Sequence, residues 1–484
     1  MERRTFLAAT AATAGAATLG AGAGHAAARP AQAPEAVLTG WFEDTYRSLE
    51  AMVADNGLPA DNIDLSGREP VLTENTSVTN IGCWIWSTVA AAGLGVIGER
   101  EMHARLARTV ATVERMERLH GFWFNWYHTF TGEVLDEWPG SGAPVNHLLS
   151  TVDNGWLDVA LRIAEDADPL LRGRIRRLRA DIDWSFMYVP YDPADPAARP
   201  GHMSTGFRVA DDALTPNFYG ALMAETRISS YLGISDGTVP RQHYWHMLRT
   251  LEPGATQEMP PGGDWARRDG VTYFNGHYTH RGHSYIPNWN GTLFGPLMPE
   301  LFVPSARWNR TWRTNITGHA LVHREHGLYE AEYGYWGFSP CNIPEGGYSS
   351  YAVQYCGISP EGGHSNTDKT YFPYPQEPEA DAYTNGVVTP HAAAMALMVT
   401  PRYAYDNLRR IARDFDAYED GYGFYDSVNV GTGTVSDRML SLDQGMTAAA
   451  LAQVLQPGLL QRPFRTGGFR RRLKPLLAAE DFGI

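Results

Sequence analysis

The sequence predicts an all-α protein, a toroid of paired helices with long loops gathered over one end. Two observations predict it. Apolar residues recur at helical spacing from about residue 36 to 460, as in helices that bury one face. Between these segments lie long stretches rich in Gly, Pro, Asn, Tyr and Trp, at 121–150, 188–215, 252–292, 330–387 and 420–442. Loops of that length inside a compact domain are uncommon unless they carry function. No short repeat marks a solenoid, and no βαβ alternation or strand-rich stretch is visible.

The first seven residues, with Arg3-Arg4 ahead of Phe6-Leu7, precede an Ala/Gly-rich apolar run that ends near Ala28. This resembles a twin-arginine export signal with a small-residue cleavage site. The run is too short and glycine-rich for a spanning helix, and no later segment is apolar enough to span. Residues 1–29 are thus expected to be a leader, and an extracellular or cell-envelope location follows. A short Pro/Ala linker leads to the main domain at 36–462.

In that domain Val37, Trp41, Tyr46, Leu49 and Met52 share one helical face, as do Met102, Leu106, Val110, Val113, Met116 and Leu119 ahead of the stop at Gly121. Further helices are expected at 76–95, 152–166, 172–187, 216–233, 240–251, 308–326, 388–399, 402–415 and 443–456. The basic segment 463–484 reads as a solvated tail.

The formal net charge is −14, which repels phosphate backbones and anionic lipids. Nucleic-acid binding and a membrane span are therefore not expected. Aromatic residues make up 12% of the chain, including 14 Trp. They suit stacking on sugar rings, or a large helical core. The three cysteines, Cys83, Cys341 and Cys356, make no disulfide framework. They allow one bridge, Cys341–Cys356, or three buried thiols. No spacing suggests zinc, and no metal or cofactor is expected.

Four constellations could carry chemistry. Ser150-Thr151-Val152-Asp153-Asn154-Gly155-Trp156 follows the aromatic run through Asn125, Trp126 and Tyr127, and Asp153 is a helix cap or a ligand. Glu225 sits in an otherwise apolar helix near Arg227. It is paired there, or kept protonated by burial as a general acid requires. Tyr335-Trp336 lies on a Gly-rich loop suited to sugar stacking or to packing. Asp426, in Gly423-Phe424-Tyr425-Asp426, precedes Asp443, which opens the last helix as a cap or as a group that orients water. Gly233-Ile234-Ser235-Asp236-Gly237 matches a serine nucleophile elbow, but it follows a helix and reads as a helix stop. His277, His280 and His283 lack a carboxylate cluster, so sugar contacts suit them better than metal.

In this order the phrases resemble the glucoamylase-like (glycoamylase) family, which includes bacterial endo-β-1,2-glucanases and the transglycosylase domain of cyclic β-1,2-glucan synthases. The resemblance spans roughly 70–460. Its phrases are Thr76–Gly82, Asn125–Tyr127 with Ser150–Gly155, Ala224–Arg227 through Pro240, Trp289–Pro299, Tyr335–Ser339, Val387–Ala393, Tyr422–Asp426 and Leu442–Gly445. It implies an (α/α)6 barrel acting on β-1,2-linked glucose. Glu225 is similar in position to the family's general acid, Asp443 to its water-activating base, and Asp153 to a substrate-binding aspartate.

Where the transglycosylase phrase carries a glutamate, this chain has Gly295. That favours hydrolysis with inversion over a covalent intermediate. Glu225 and Asp443 are therefore the expected catalytic pair. Asp153, Trp126, Tyr127, Arg227, Tyr335, Trp336, His283 and Asp426 are the expected substrate-binding residues. The expected partner is a poly- or oligosaccharide, and the expected state a monomer. An inactive glycan-binding protein, a transglycosylase and a phosphorylase are the alternatives.

Overall fold

The computed structural model describes residues 34–358 and 386–484. The leader at 1–29 lies outside the described residues. Fourteen α-helices are present among the described residues. They are α1 Glu35–Ala51, α2 Val78–Gly93, α3 Glu99–Val113, α4 Thr151–Ala167, α5 Arg172–Ala180, α6 Arg227–Asp236, α7 His243–His246 and α8 Phe294–Leu297. The series continues with α9 Ser305–Trp308, α10 Arg310–Glu325, α11 Pro390–Ala396, α12 Pro401–Phe415, α13 Ser441–Leu455 and α14 Gly467–Ala478.

Two kinds of helix differ by where their apolar residues fall. In α2 and α13 nearly every residue is buried, small residues included. A helix apolar on all sides belongs inside. In α3 and α12 only one stripe is buried, for example Ala404, Tyr405, Leu408 and Ile411 of α12. The packing partners follow this division. Helices α11, α13, α2, α4 and α6 contact one another in that order, and α8 joins α10 to α11. Arg227 of α6 lies over the Trp312 ring of α10, which completes the circuit. The one-sided helices lie outside it, with α3 on α2, α5 on α4 and α12 on α11, while α1 covers α13.

Close approach inside the ring depends on glycine at two positions. A β-carbon at Gly445 would lie 2.4 Å from Cys83 Cβ, and one at Gly155 would lie 2.3 Å from Ser229 Oγ. Helices α13 and α2, and α4 and α6, could not otherwise come together.

Many short strands accompany the helices, contrary to the sequence expectation. Their placement is systematic. Strand Asn75–Ser77 runs into α2, Leu148–Ser150 into α4, Val387–Val388 toward α11 and Arg438–Leu440 into α13. Each is paired antiparallel, with Trp126–His128, Gly206–Arg208, Val428–Asn429 and Asn62–Asp64 respectively. These pairings pin the N-terminal ends of the inner helices. Strands of two or three residues are too short to show a period of two, so the sequence pattern could not reveal them.

The stretch 252–292, expected to be irregular, contains a long hairpin, Gly262–Arg268 against Val271–His280. It turns at Asp269-Gly270, both at positive φ, as a tight hairpin turn requires. The segment 463–484 is not a solvated tail. Within it α14 packs on α6 and buries Phe469, Leu473, Leu476 and Leu477. Phe482 packs on Trp312, and Glu480 pairs with the buried Arg249 at 2.6 Å. Its arginines mask an amphipathic helix. No helix among the described residues is long and apolar enough to cross a membrane.

Candidate active site

The pinned helix ends bring acidic residues together. Asp153 is in the first turn of α4, Asp443 in the first turn of α13, Glu225 just ahead of α6, and His391 in the first turn of α11. Helix N-termini carry partial positive charge and favour carboxylates.

Ser150 is the N-cap of α4, so Asp153 is not. Its carboxylate accepts from Ser150 Oγ and, at 2.5 Å, from Thr79 Oγ1 at the start of α2. With its amide nitrogen turned toward Asp153, Asn125 donates to Oδ2 at 2.9 Å while its oxygen accepts from Trp126 Nε1 at 3.0 Å. Trp126, half-buried and set edge-on to Trp138, is thereby tied to Asp153 through Asn125. Burial raises the Asp153 pKa, against the hydrogen bonds that lower it.

Burial likewise pushes Glu225 up to about 7, and the negative charge of Asp153 adds to the effect. Both carboxyls act on Tyr219, whose phenol is raised by burial and then by their charges. Glu225, Asp153 and Tyr219 thus form one cluster.

Asp443 and Asp426 form a second cluster. Burial, then the charge of Asp426 and a hydrogen bond with it, holds Asp443 well above the usual carboxylate range. Asp426, fixed by the Asn342 N–H at 2.6 Å, is pushed up to about 6, chiefly by burial. Asp61, bound by the Asn80 amide at 2.8 Å, acts on both. Cys83 lies near a member of each cluster, Asp443 and Asp153. Its thiol is raised by burial and then by the charges of Asp443 and Asp153. His391 faces Asp443 with Nδ1 3.4 Å from Oδ2, and burial lowers its pKa to about 3, so its ring is neutral. The donor atoms of His391, Asp426 and Asp443 lie within 4.8 Å of one another, the one such group among the described residues.

The structure therefore brings together Glu225, Asp443, Asp153, Asp426 and Trp126. It places the other expected residues elsewhere. Tyr127 is fully buried, with its hydroxyl donating to the Glu117 carbonyl and accepting from the Phe124 N–H. Arg227 is buried and spends its guanidinium on the carbonyls of Met223, Ala224, Gly295 and Pro296, 3.6 Å from Glu300. Trp336 is buried, and Tyr335 bonds Asp414 and packs on Arg410 of α12. His283 bonds Glu325, and His280 bonds Glu330. These side chains are engaged by packing and by partners other than Glu225, Asp153, Asp426 and Asp443.

Gly237 ends α6 with φ +85°, as expected of a helix stop. All three cysteines are free and buried, so the Cys341–Cys356 bridge is not made. Sequence reasoning missed Asp61 and His391. Asp61 sits in no motif, and His391 follows a helix-starting proline where it reads as core.

The inner helices close into a ring, a helical toroid. Residues 255–467 match the model of the Glycoamylase family, described as "Putative glucoamylase", so the resemblance read from the sequence phrases holds. The chain is 23% identical over 560 aligned residues to the cyclic beta-(1,2)-glucan synthase NdvB of Rhizobium meliloti (strain 1021). That alignment covers 87% of this chain but only 18% of the relative's length.

Among solved structures, an endo-beta-1,2-glucanase from Chitinophaga pinensis, in complex with sophorotriose and glucose, is similar at TM-score 0.65 and 17% identity, covering 92% of this chain and 98% of that one. A beta-1,2-glucanase from Parabacteroides distasonis is similar at TM-score 0.67 and 17% identity, covering 93% and 60%. An endo-beta-1,2-glucanase from Talaromyces funiculosus, in complex with sophorose, is similar at TM-score 0.64 and 12% identity, covering 93% and 90%.

Proposed function

We propose that the protein is an exported glycoside hydrolase that cleaves β-1,2-glucan with inversion. In this reading the inner helices α2, α4, α6, α10, α11 and α13 are the six of an (α/α)6 barrel, and residues 1–29 are a twin-arginine leader. Glu225 protonates the departing glycosidic oxygen, and Asp443 takes a proton from the attacking water. The observation that carries the reading is Glu225, raised by burial to about 7. A buried acid poised near neutrality suits proton donation. Asp443, as the second carboxyl, would activate water, and inversion calls for roughly 6.5–9.5 Å between the two groups. Asp153 and Trp126 hold the sugar between them, by hydrogen bonding and ring contact.

Gly295, where a transglycosylase-type nucleophile would stand, argues for water as the acceptor. A β-carbon there would lie 2.6 Å from Asn288 Nδ2, so a side chain here would have to displace the Asn288 amide from the Thr292 carbonyl it bonds. The test is product release from β-1,2-, β-1,3-, β-1,4-, β-1,6- and α-linked glucans, with the product anomer followed by NMR. Release of an α-anomer from β-1,2-glucan alone is the expected result. A β-anomer would overturn inversion, and release from no glucan would overturn hydrolysis in favour of glycan binding.

A further inference from the structure

His391, Asp426 and Asp443 come from three separate segments, and all three are at least 97% buried, with exposures of 2%, 2% and 3%. Their donor atoms point at one another. Neither ring nitrogen of His391 makes a hydrogen bond, nor does Asp426 Oδ1 or Asp443 Oδ2. The other Asp426 oxygen is held from behind by the Asn342 N–H. Asp61 stands close by with its oxygens engaged by Asn80 and Asn62.

Among the described residues no Lys or Arg forms an ion pair with Asp61, Asp426 or Asp443. The nearby Arg438 is spent on Asn62 and Asp64. The proton that the Asp426–Asp443 hydrogen bond requires offsets the cost of burying two carboxyls, and a cation in its place would do the same while using the open acceptor sites. Donor atoms bound to a first-row ion at ~2.0–2.2 Å lie roughly 3–4 Å from one another, and these lie within 4.8 Å.

We propose that His391, Asp426 and Asp443 bind one divalent first-row transition-metal ion of the zinc type. The imidazole distinguishes this set from an all-oxygen cage for magnesium or calcium. Three protein ligands leave a fourth position for water. If Asp443 is the base, which rests on the function proposed above, metal and hydrolysis exclude each other. The ion occupies the oxygen that would receive the water's proton, so zinc acts as an inhibitor.

The test is calorimetric titration of the full chain with zinc chloride and, separately, magnesium chloride, in wild type, His391→Gln and Asp426→Asn. Far-UV circular dichroism checks each variant's fold. The expected result is one tight zinc per wild-type chain, at least tenfold weaker in each variant, and no magnesium binding. Absence of stoichiometric zinc would overturn the proposal. So would unchanged affinity in the folded variants, or magnesium binding as tight as zinc. In a parallel assay, hydrolysis of β-1,2-glucan should fall as the site fills with zinc. Undiminished hydrolysis at full occupancy would overturn the exclusion. If no glucan is cleaved at all, the proposed function fails while the titration still decides the metal site.

Discussion

Arg227 donates to the Gly295 carbonyl at 2.9 Å, joining the start of α6 to α8 across the ring. The arginine that looked like a substrate ligand is a bolt, and the glycine that looked like a lost nucleophile is what it fastens. Replacing Arg227 with Met should leave Glu300 buried without its charge partner and lower stability by about 3–5 kcal/mol. Urea unfolding would show it. An unchanged midpoint with a raised KM would return Arg227 to the substrate.

Glu225→Gln should reduce kcat by roughly 10²–10⁴-fold with the circular dichroism spectrum unaltered. A folded variant with near wild-type turnover would remove Glu225 from the acid role.

The pH dependence follows from the same residue. Burial disfavours the Glu225 carboxylate, so the acid form persists to about pH 7. Activity should fall as pH rises through that value and the proton is lost. The charge of Asp153 favours the protonated form. Asp153→Asn should therefore move the alkaline limb downward, by roughly half a unit. A limb that stays in place would mean that another group sets it.

Tyr127→Phe removes one buried hydroxyl bonded to Glu117 and Phe124. The expected cost is about 0.5–1.5 kcal/mol of stability, with KM unchanged. A raised KM at equal stability would place Tyr127 in a subsite.

Gly445→Ala would press a methyl onto Cys83 and should cost about 1–3 kcal/mol. Thermal unfolding would reveal it, and an unshifted melting point would mean that α2 and α13 can slide apart.

The long helices were legible because each buries residues over several turns, which repeats in the sequence. Those expected at 216–233 and 240–251 shrink to α6 from Arg227 and the four-residue α7, with a strand at Phe218–Tyr219. Asp153 and Asp443 were legible because each sits in a phrase at a helix start, while Glu225, expected inside a helix, stands just ahead of α6. The strands that aim them were not, since two residues carry no period. Nor was the status of Arg227, Tyr127 and Trp336. An arginine or aromatic residue beside a catalytic phrase reads the same whether it faces the pocket or its back wall, and only packing decides. His391 and Asp61 join the acids through contacts that span 52 and 382 residues to Asp443, distances over which a pattern leaves no trace.

The cover of α1 over α13 has a kinetic side. Ser48 and Met439 meet at 3.4 Å although 391 positions separate them. Contacts so remote cost chain entropy before they return any stabilisation, and they form late. The wall that presents Asp443 should set after most helices have formed. During refolding from denaturant, ellipticity should then recover ahead of catalysis, with an interval in which the protein is helical but inert.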